Sequence, residues 1–148
     1  MVRVALKSMR AKRIASAFLV AAMLTTGSFA SVLAGNTADT SYEFHNTNVS
    51  GNTGFREKND TTKVYIHPTS GPELYFTVQA ANSSYGSNCI SASGRYRVGN
   101  SVQASFTNWV HESGRAYARL HIERTTYANT MSYGLWSPDS TQNYTVFG

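Results

Sequence analysis

Two stretches of this chain alternate apolar and polar side chains with a period of two, and that pattern limits the fold more than any other feature. From Glu73 to Ala81, Leu74, Phe76, Val78 and Ala80 share one parity, while Glu73, Tyr75, Thr77 and Gln79 share the other. From Ala116 to Glu123, Ala116, Ala118, Leu120 and Ile122 oppose Tyr117, Arg119, His121 and Glu123. Successive side chains of a strand point to opposite faces, so each run reads as a half-buried antiparallel strand with one face on a core and one in water. A helix would scatter the same residues around its circumference.

The remaining segments follow the same rule over shorter spans. In Thr62–His67, Val64 and Ile66 oppose Lys63, Tyr65 and His67, and Tyr96 and Val98 alternate with Arg95 and Arg97. Between 101 and 110, Val102, Ala104 and Phe106 alternate with polar neighbours. Further strands are expected at Tyr42–Asn46, Tyr127–Trp136 and Asn143–Phe147. Turn chemistry separates them at Pro68–Pro72, Gly99-Asn100 and Ser137-Pro138-Asp139. The connection Glu112-Ser113-Gly114 holds a glycine free to take positive φ and predicts a hairpin of 101–110 with 116–123. The expected fold is all-β: a small antiparallel β-sandwich or barrel of about seven short strands.

Charge divides the chain. Five of its 13 Lys and Arg residues (Arg3, Lys7, Arg10, Lys12 and Arg13) precede the first acid, and the eight that remain face all eight Asp and Glu. The formal +5 therefore belongs to the N-terminus, and the rest is neutral. After the basic start, Ile14–Phe29 is uncharged and apolar, and small residues follow at Ser28, Ala30 and Ala34. This is the layout of a secretory signal peptide, with cleavage expected after Ala34 in preference to Ala30. The apolar run is shorter than the roughly 20 residues a spanning helix needs, so no stable membrane insertion of the mature chain is expected. The expected organisation is a signal peptide at 1–34 and a single secreted β domain at 35–148. With the leader removed, the charge argument for a nucleic-acid partner disappears.

Motifs for catalysis and for cofactors are missing. His111-Glu112 begins a zinc-protease pattern, but Arg115 stands where the second histidine belongs. His121 and Glu123 share a strand face and would need His67 or His111 as a third ligand; ordinary strand polarity explains them better. Cys89 is the only cysteine, so no intrachain disulfide forms, and a buried small apolar side chain is its expected role. No Gly-x-Ser-x-Gly elbow is present, and the scattered acids single out no glycosidase pair. No enzyme activity, metal or cofactor is expected.

The candidate ligand-binding residues are Tyr117, Arg119, His121 and Trp136. The first three share the polar face of one strand, where an Arg–Tyr surface binds sugars, phosphates or protein through stacking and forked hydrogen bonds. Cross-strand pairing with Glu73 and Glu123 is the competing use of the arginines on this sheet. Trp109 is expected in the core. Trp136 lies opposite the Leu135 face, at a strand end, where an aromatic serves as a sugar or partner platform.

The stretches Asn108-Trp-Val-His-Glu-Ser-Gly-Arg-Ala-Tyr-Ala-Arg-Leu120 and Gly134-Leu-Trp-Ser-Pro-Asp-Ser140 resemble small exported proteins of Gram-positive bacteria whose role is uncharacterised. A looser likeness is to secreted bacteriocins of the lactococcin 972 type, which are also small, cysteine-poor and rich in Tyr, Trp and Asn. Neither resemblance supplies a catalytic residue. The sequence thus predicts a secreted, non-enzymatic binding protein acting at or outside the cell envelope, with a cell-wall glycan or a protein partner. A bacteriocin-like antibacterial protein and a small secreted hydrolase are the alternatives.

Overall fold

The computed structural model describes residues 35–148. The expected signal peptide, residues 1–34, lies outside the described residues. Among these there are ten strands and no helix: β1 (Thr40–His45), β2 (Ser50–Asn52), β3 (Arg56–Glu57), β4 (Val64–Ser70), β5 (Leu74–Ala81), β6 (Ile90–Val98), β7 (Ala104–Phe106), β8 (Tyr117–Arg124), β9 (Met131–Ser137) and β10 (Thr145–Phe147). They form two open sheets and no closed barrel. The first has the order β1-β9-β4-β7-β10; the second has the order β2-β8-β5-β6, with β3 also pairing with β8. Every pair is antiparallel except β7 with β10, which run parallel.

The alternating parities become the two inner faces. Leu74, Phe76, Val78 and Ala80 of β5 and Ala118, Leu120 and Ile122 of β8 are buried from the second sheet. Tyr42, Phe44, Val64, Ile66, Ala104, Phe106 and Trp136 meet them from the first, in one continuous core. Aromatic edges lock the layers: Tyr42 meets Phe76 at 5.7 Å and 70°, and Tyr96 meets Phe106 at 5.1 Å and 78°. Such edge-to-face pairs add about 0.5–1.5 kcal/mol beyond area burial.

Two irregularities keep the faces in phase. Between Thr77 and Gln79 the β5–β6 register shifts by two residues of β6, so inward residues stay inward on both sides. The Ser93 hydroxyl fills the gap by accepting from the Val78 N–H at 2.8 Å. A second shift lies between Pro68 and Ser70 on β4, where proline could not donate to a ladder. The chain leaves β4 through Gly71, whose φ of +94° suits only glycine.

Several expectations are corrected. The hairpin of 101–110 with 116–123 does not exist: β7 pairs with β4 and β10 in one sheet, and β8 pairs with β2, β3 and β5 in the other. The strand stops at Phe106 because Asn108 is buried and turns its amide back to Thr62 O and Phe106 O, and residues 107–116 then cross between layers. Gly114 in that crossing does take positive φ, +72°. Trp109, expected in the core, is 45% exposed; Val110 fills the core beside it. Cys89, expected to be buried, is exposed. It sits at the end of the 82–89 loop, one residue before β6 begins to alternate. Trp136 is the reverse case: it is only 1% exposed. Its parity was read correctly, but the Leu135 side of β9 is the outward one.

The Tyr42 hydroxyl is buried and has no hydrogen-bond partner among the described residues, and burial raises its pKa well above the usual phenol value. An unsatisfied buried hydroxyl costs about 1–3 kcal/mol. Tyr42→Phe is therefore expected to hold or raise stability, by about 1 kcal/mol. Trp136→Ala is expected to lower stability by about 3–5 kcal/mol. Urea unfolding of the two variants checks both signs.

Candidate functional site

The outer face of the second sheet is built by register. On it Gln79 lies beside Arg119, Thr77 beside His121 and Tyr75 beside Glu123. β6 adds Arg97 next to Tyr75 and Arg95 next to Thr77. On the other flank Asn52 of β2 faces His121, and Glu57 of β3 faces Tyr117. Tyr117, Arg119 and His121 thus share one half-buried face, as their alternation requires.

Each of the three is held by its neighbours. The Tyr117 hydroxyl donates to Glu57 Oε1 at 3.3 Å. Arg119 Nε donates to Gln79 Oε1 at 2.8 Å, and its guanidinium lies 4.5 Å over the Phe55 ring. His121 Nδ1 lies 2.9 Å from Asn52 Oδ1, and its Nε2 lies 3.3 Å from Glu123 Oε1. Phe55 in turn rests on Gly86, where a Cβ would come within 2.7 Å of the ring and φ is +82°. Arg95 stacks 3.5 Å over Tyr75 and pairs with Glu123, while Arg97 pairs with Glu73. The expected cross-strand pairing is therefore real for Arg95 and Arg97, whereas Arg119 has no carboxylate partner among the described residues. Exposed pairs of this kind contribute about 0–1 kcal/mol each, and their main effect here is to fix side-chain directions.

Trp136 does not join this face. It lines a cavity of about 290 Å³ with Thr40–Glu43 of β1 and residues 52–56. Arg56 lies 5.4 Å over its ring and donates to its carbonyl oxygen at 3.3 Å. Phe55 touches both places, since it also lines that cavity. Cys89 stands at the margin of the Arg119 face, 3.9 Å from Arg119 Nη2 and 3.6 Å from Gln79 Oε1. Among the described residues no group of three or more His, Cys, Asp or Glu is placed to hold a metal ion. His111 makes a hydrogen bond to Lys58 O at 2.9 Å instead.

The sequence gives no warning of a second polar centre, buried behind β3. Lys58 and Asp139 have fully buried side chains 2.8 Å apart. Lys58 Nζ also donates to Thr62 O at 2.6 Å and Pro138 O at 2.9 Å. Asp139 Oδ2 accepts from the N–H of Asn36 at 2.6 Å and of Asn59 at 2.9 Å. Burial by itself would raise the Asp139 pKa. The hydrogen bonds from Lys58, Asn59 and Asn36, with the Lys58 charge, outweigh burial and hold the carboxyl below the ordinary aspartate range. Both residues sit in loops, where no periodicity marks a buried position.

The fold and this face define a small, two-sheet β-sandwich with a polar–aromatic outer surface. The chain belongs to the DUF2712 family, described as a protein of unknown function, whose match spans residues 30–140. No curated protein and no solved structure matches it.

A carboxyl with a depressed folded pKa contributes stability that is complete above its unfolded pKa and is lost as pH falls through the folded value. Stability is thus expected to hold from neutral pH to about 5 and to fall below about pH 4. Asp139→Asn is expected to lose about 3–5 kcal/mol at neutral pH, since it leaves Lys58 buried without a counter-charge. It should also flatten the acid limb. Unfolding curves at several pH values check both effects.

Proposed function

We propose that the protein is an exported, non-enzymatic binding protein that acts at or outside the cell envelope, with a wall glycan or an envelope protein as its ligand. The observation that carries this reading is the β8 face: Tyr117, Arg119 and His121 stand in one row, each oriented by a neighbour. Side chains held in place before binding lose little rotamer entropy on contact, which favours affinity. The Arg119 guanidinium is stacked on Phe55 and has no carboxylate partner among the described residues, so it offers forked donors to ligand hydroxyl or carboxylate groups. Export is supported by the basic start, apolar middle and small-residue end of the leader. The neutral charge of the remainder favours a specific contact over general attraction to anionic surfaces.

Trp136 leaves this proposal as a contact residue and keeps a place only beneath the neighbouring cavity. The test is retention of the protein on purified wall glycan and, separately, on detergent-extracted envelope proteins. Arg119→Ala is expected to weaken retention about tenfold or more, in the manner of a central arginine contact. Trp109→Ala, exposed but on the inter-sheet crossing, is expected to leave it unchanged. Equal retention of Arg119→Ala and the parent on both materials would rule out this face. Growth inhibition of related strains by the purified protein, with no retention, would replace the reading with the bacteriocin-like one.

A further inference from the structure

The two carboxylates Asp60 and Asp139 converge on the first described residues of the chain. Asn36 is fixed there by four hydrogen bonds. Its N–H donates to Asp139 Oδ2 at 2.6 Å and its side-chain amide to Glu57 O at 2.9 Å. Its Oδ1 accepts from Arg56 Nη2 at 2.8 Å and its carbonyl from the Asp139 N–H at 3.4 Å. Gly35, immediately before it, lies against Asp60. A Cβ at position 35 would stand 2.7 Å from Asp60 Oδ2 and 3.1 Å from Asp139 Cβ, so a side chain here would displace the Asp60 carboxylate.

The positive charge in this corner is drawn to Asp139 more than to Asp60. Asp60 Oδ1 accepts from the Thr62 N–H at 2.8 Å and from the Thr62 hydroxyl. Lys58 Nζ is 3.9 Å from that same oxygen, but it is committed to Asp139 at 2.8 Å. Asp60 Oδ2, the oxygen that faces Gly35, receives none of these. Arg56 hydrogen-bonds to Asn36 Oδ1, lies over Trp136 and acts by charge on Asp139 and Asp39, with no ion pair to Asp60 among the described residues. Asp139 thus has Lys58 in contact and Arg56 nearby, Asp60 has only the distant edge of Lys58, and Gly35 lies against Asp60.

We propose that the leader is cut between Ala34 and Gly35 and that the new α-ammonium of Gly35 completes this corner as the counter-charge of Asp60. The inference rests on the export reading above. In the cut, a signal peptidase adds water across the Ala34–Gly35 peptide bond. The carboxylate stays on Ala34, and the Gly35 nitrogen leaves as an amine that takes a proton at neutral pH. Before the cut that nitrogen is an uncharged amide and offers Asp60 no charge. After a cut at Ala30 it would still be an amide. The small-residue pattern admits both sites, whereas the Asp60–Gly35 contact suits one. Processing and folding are then linked: the fold gains an ion pair at the moment the leader is removed.

The experiment begins with the full chain, expressed in a secreting Gram-positive host and recovered from the medium. Intact mass and N-terminal sequencing are expected to show Gly35 first. An uncut chain would overturn the export reading together with this inference; a chain starting at Ser31 would overturn this inference alone. The recovered protein is then acetylated at its amines and melted beside untreated protein. Acetylation is expected to lower the Tm by about 2–6 °C. In Asp60→Asn, where the ion pair is absent and half-buried Lys63 is still acetylated, most of that drop should vanish. An equal drop in both would overturn the inference. Should Asp60→Asn not be secreted, NMR titration of the Gly35 amine in the parent decides. A pKa above the ordinary range of about 7.7–8.0 is expected, and a value within or below it would overturn the inference.

Discussion

The Lys58–Asp139 pair is the interaction on which the rest of this molecule depends. Removing two charges from water costs several kcal/mol per ion, and their attraction offsets this only when the remaining donors and acceptors are also met. Here they are. Lys58 spends three donors on Thr62 O, Pro138 O and Asp139, and Asp139 takes two backbone N–H groups besides. The pair joins the start of the domain, the segment after β3, the entry to β4 and the chain leaving β9. These segments come from both sheets, so the pair acts as a cross-layer tie.

That tie also shapes the candidate site. Lys58 follows directly on β3, whose two residues hold to β8 by a short ladder. A two-residue strand has little cooperativity of its own. Anchored by Lys58, it presents Glu57 to the Tyr117 hydroxyl, and the preceding residue, Phe55, lies beneath Arg119. Gly86 supports Phe55 from the other side. A buried ion pair and a glycine in a loop thereby set the geometry of a half-buried arginine that neither of them is seen to touch.

The strands were legible where alternation was long. β5 and β8 appear as the parity of their residues predicts, and their inward residues are buried; Ala116, placed on the inward face by its parity, falls just before β8 and is exposed. Pairing was not legible. Phe106 and Leu120 satisfy their alternation equally well side by side in one sheet or facing each other across the core, so the 101–110/116–123 hairpin was a fair reading with the wrong partner. Parity alone also leaves open which face is inside. Trp136, Gly134 and Ser132 turned inward because Tyr42 needs the space above Gly134, where a Cβ would lie 2.5 Å from its ring. Of the candidate site, the row Tyr117, Arg119 and His121 followed from the sequence. Phe55, Glu57 and Asn52 did not, because Glu57 and Asn52 come from strands of two and three residues and Phe55 from the loop between them. Lys58 and Asp139 carried no signal at all, since charged residues in loops are ordinarily exposed.

The buried pair holds the segment carrying Phe55 and Glu57 in place. Native-state hydrogen exchange of Asp139→Asn against the parent tests it most directly. The Lys58 amide and the β3–β8 ladder at Arg56, Glu57, Tyr117 and Ala118 are expected to lose protection first, while the β5–β6 ladder around Phe76 keeps protection set by global unfolding. Unchanged protection at residues 56–58, or a uniform loss throughout both sheets, would contradict it.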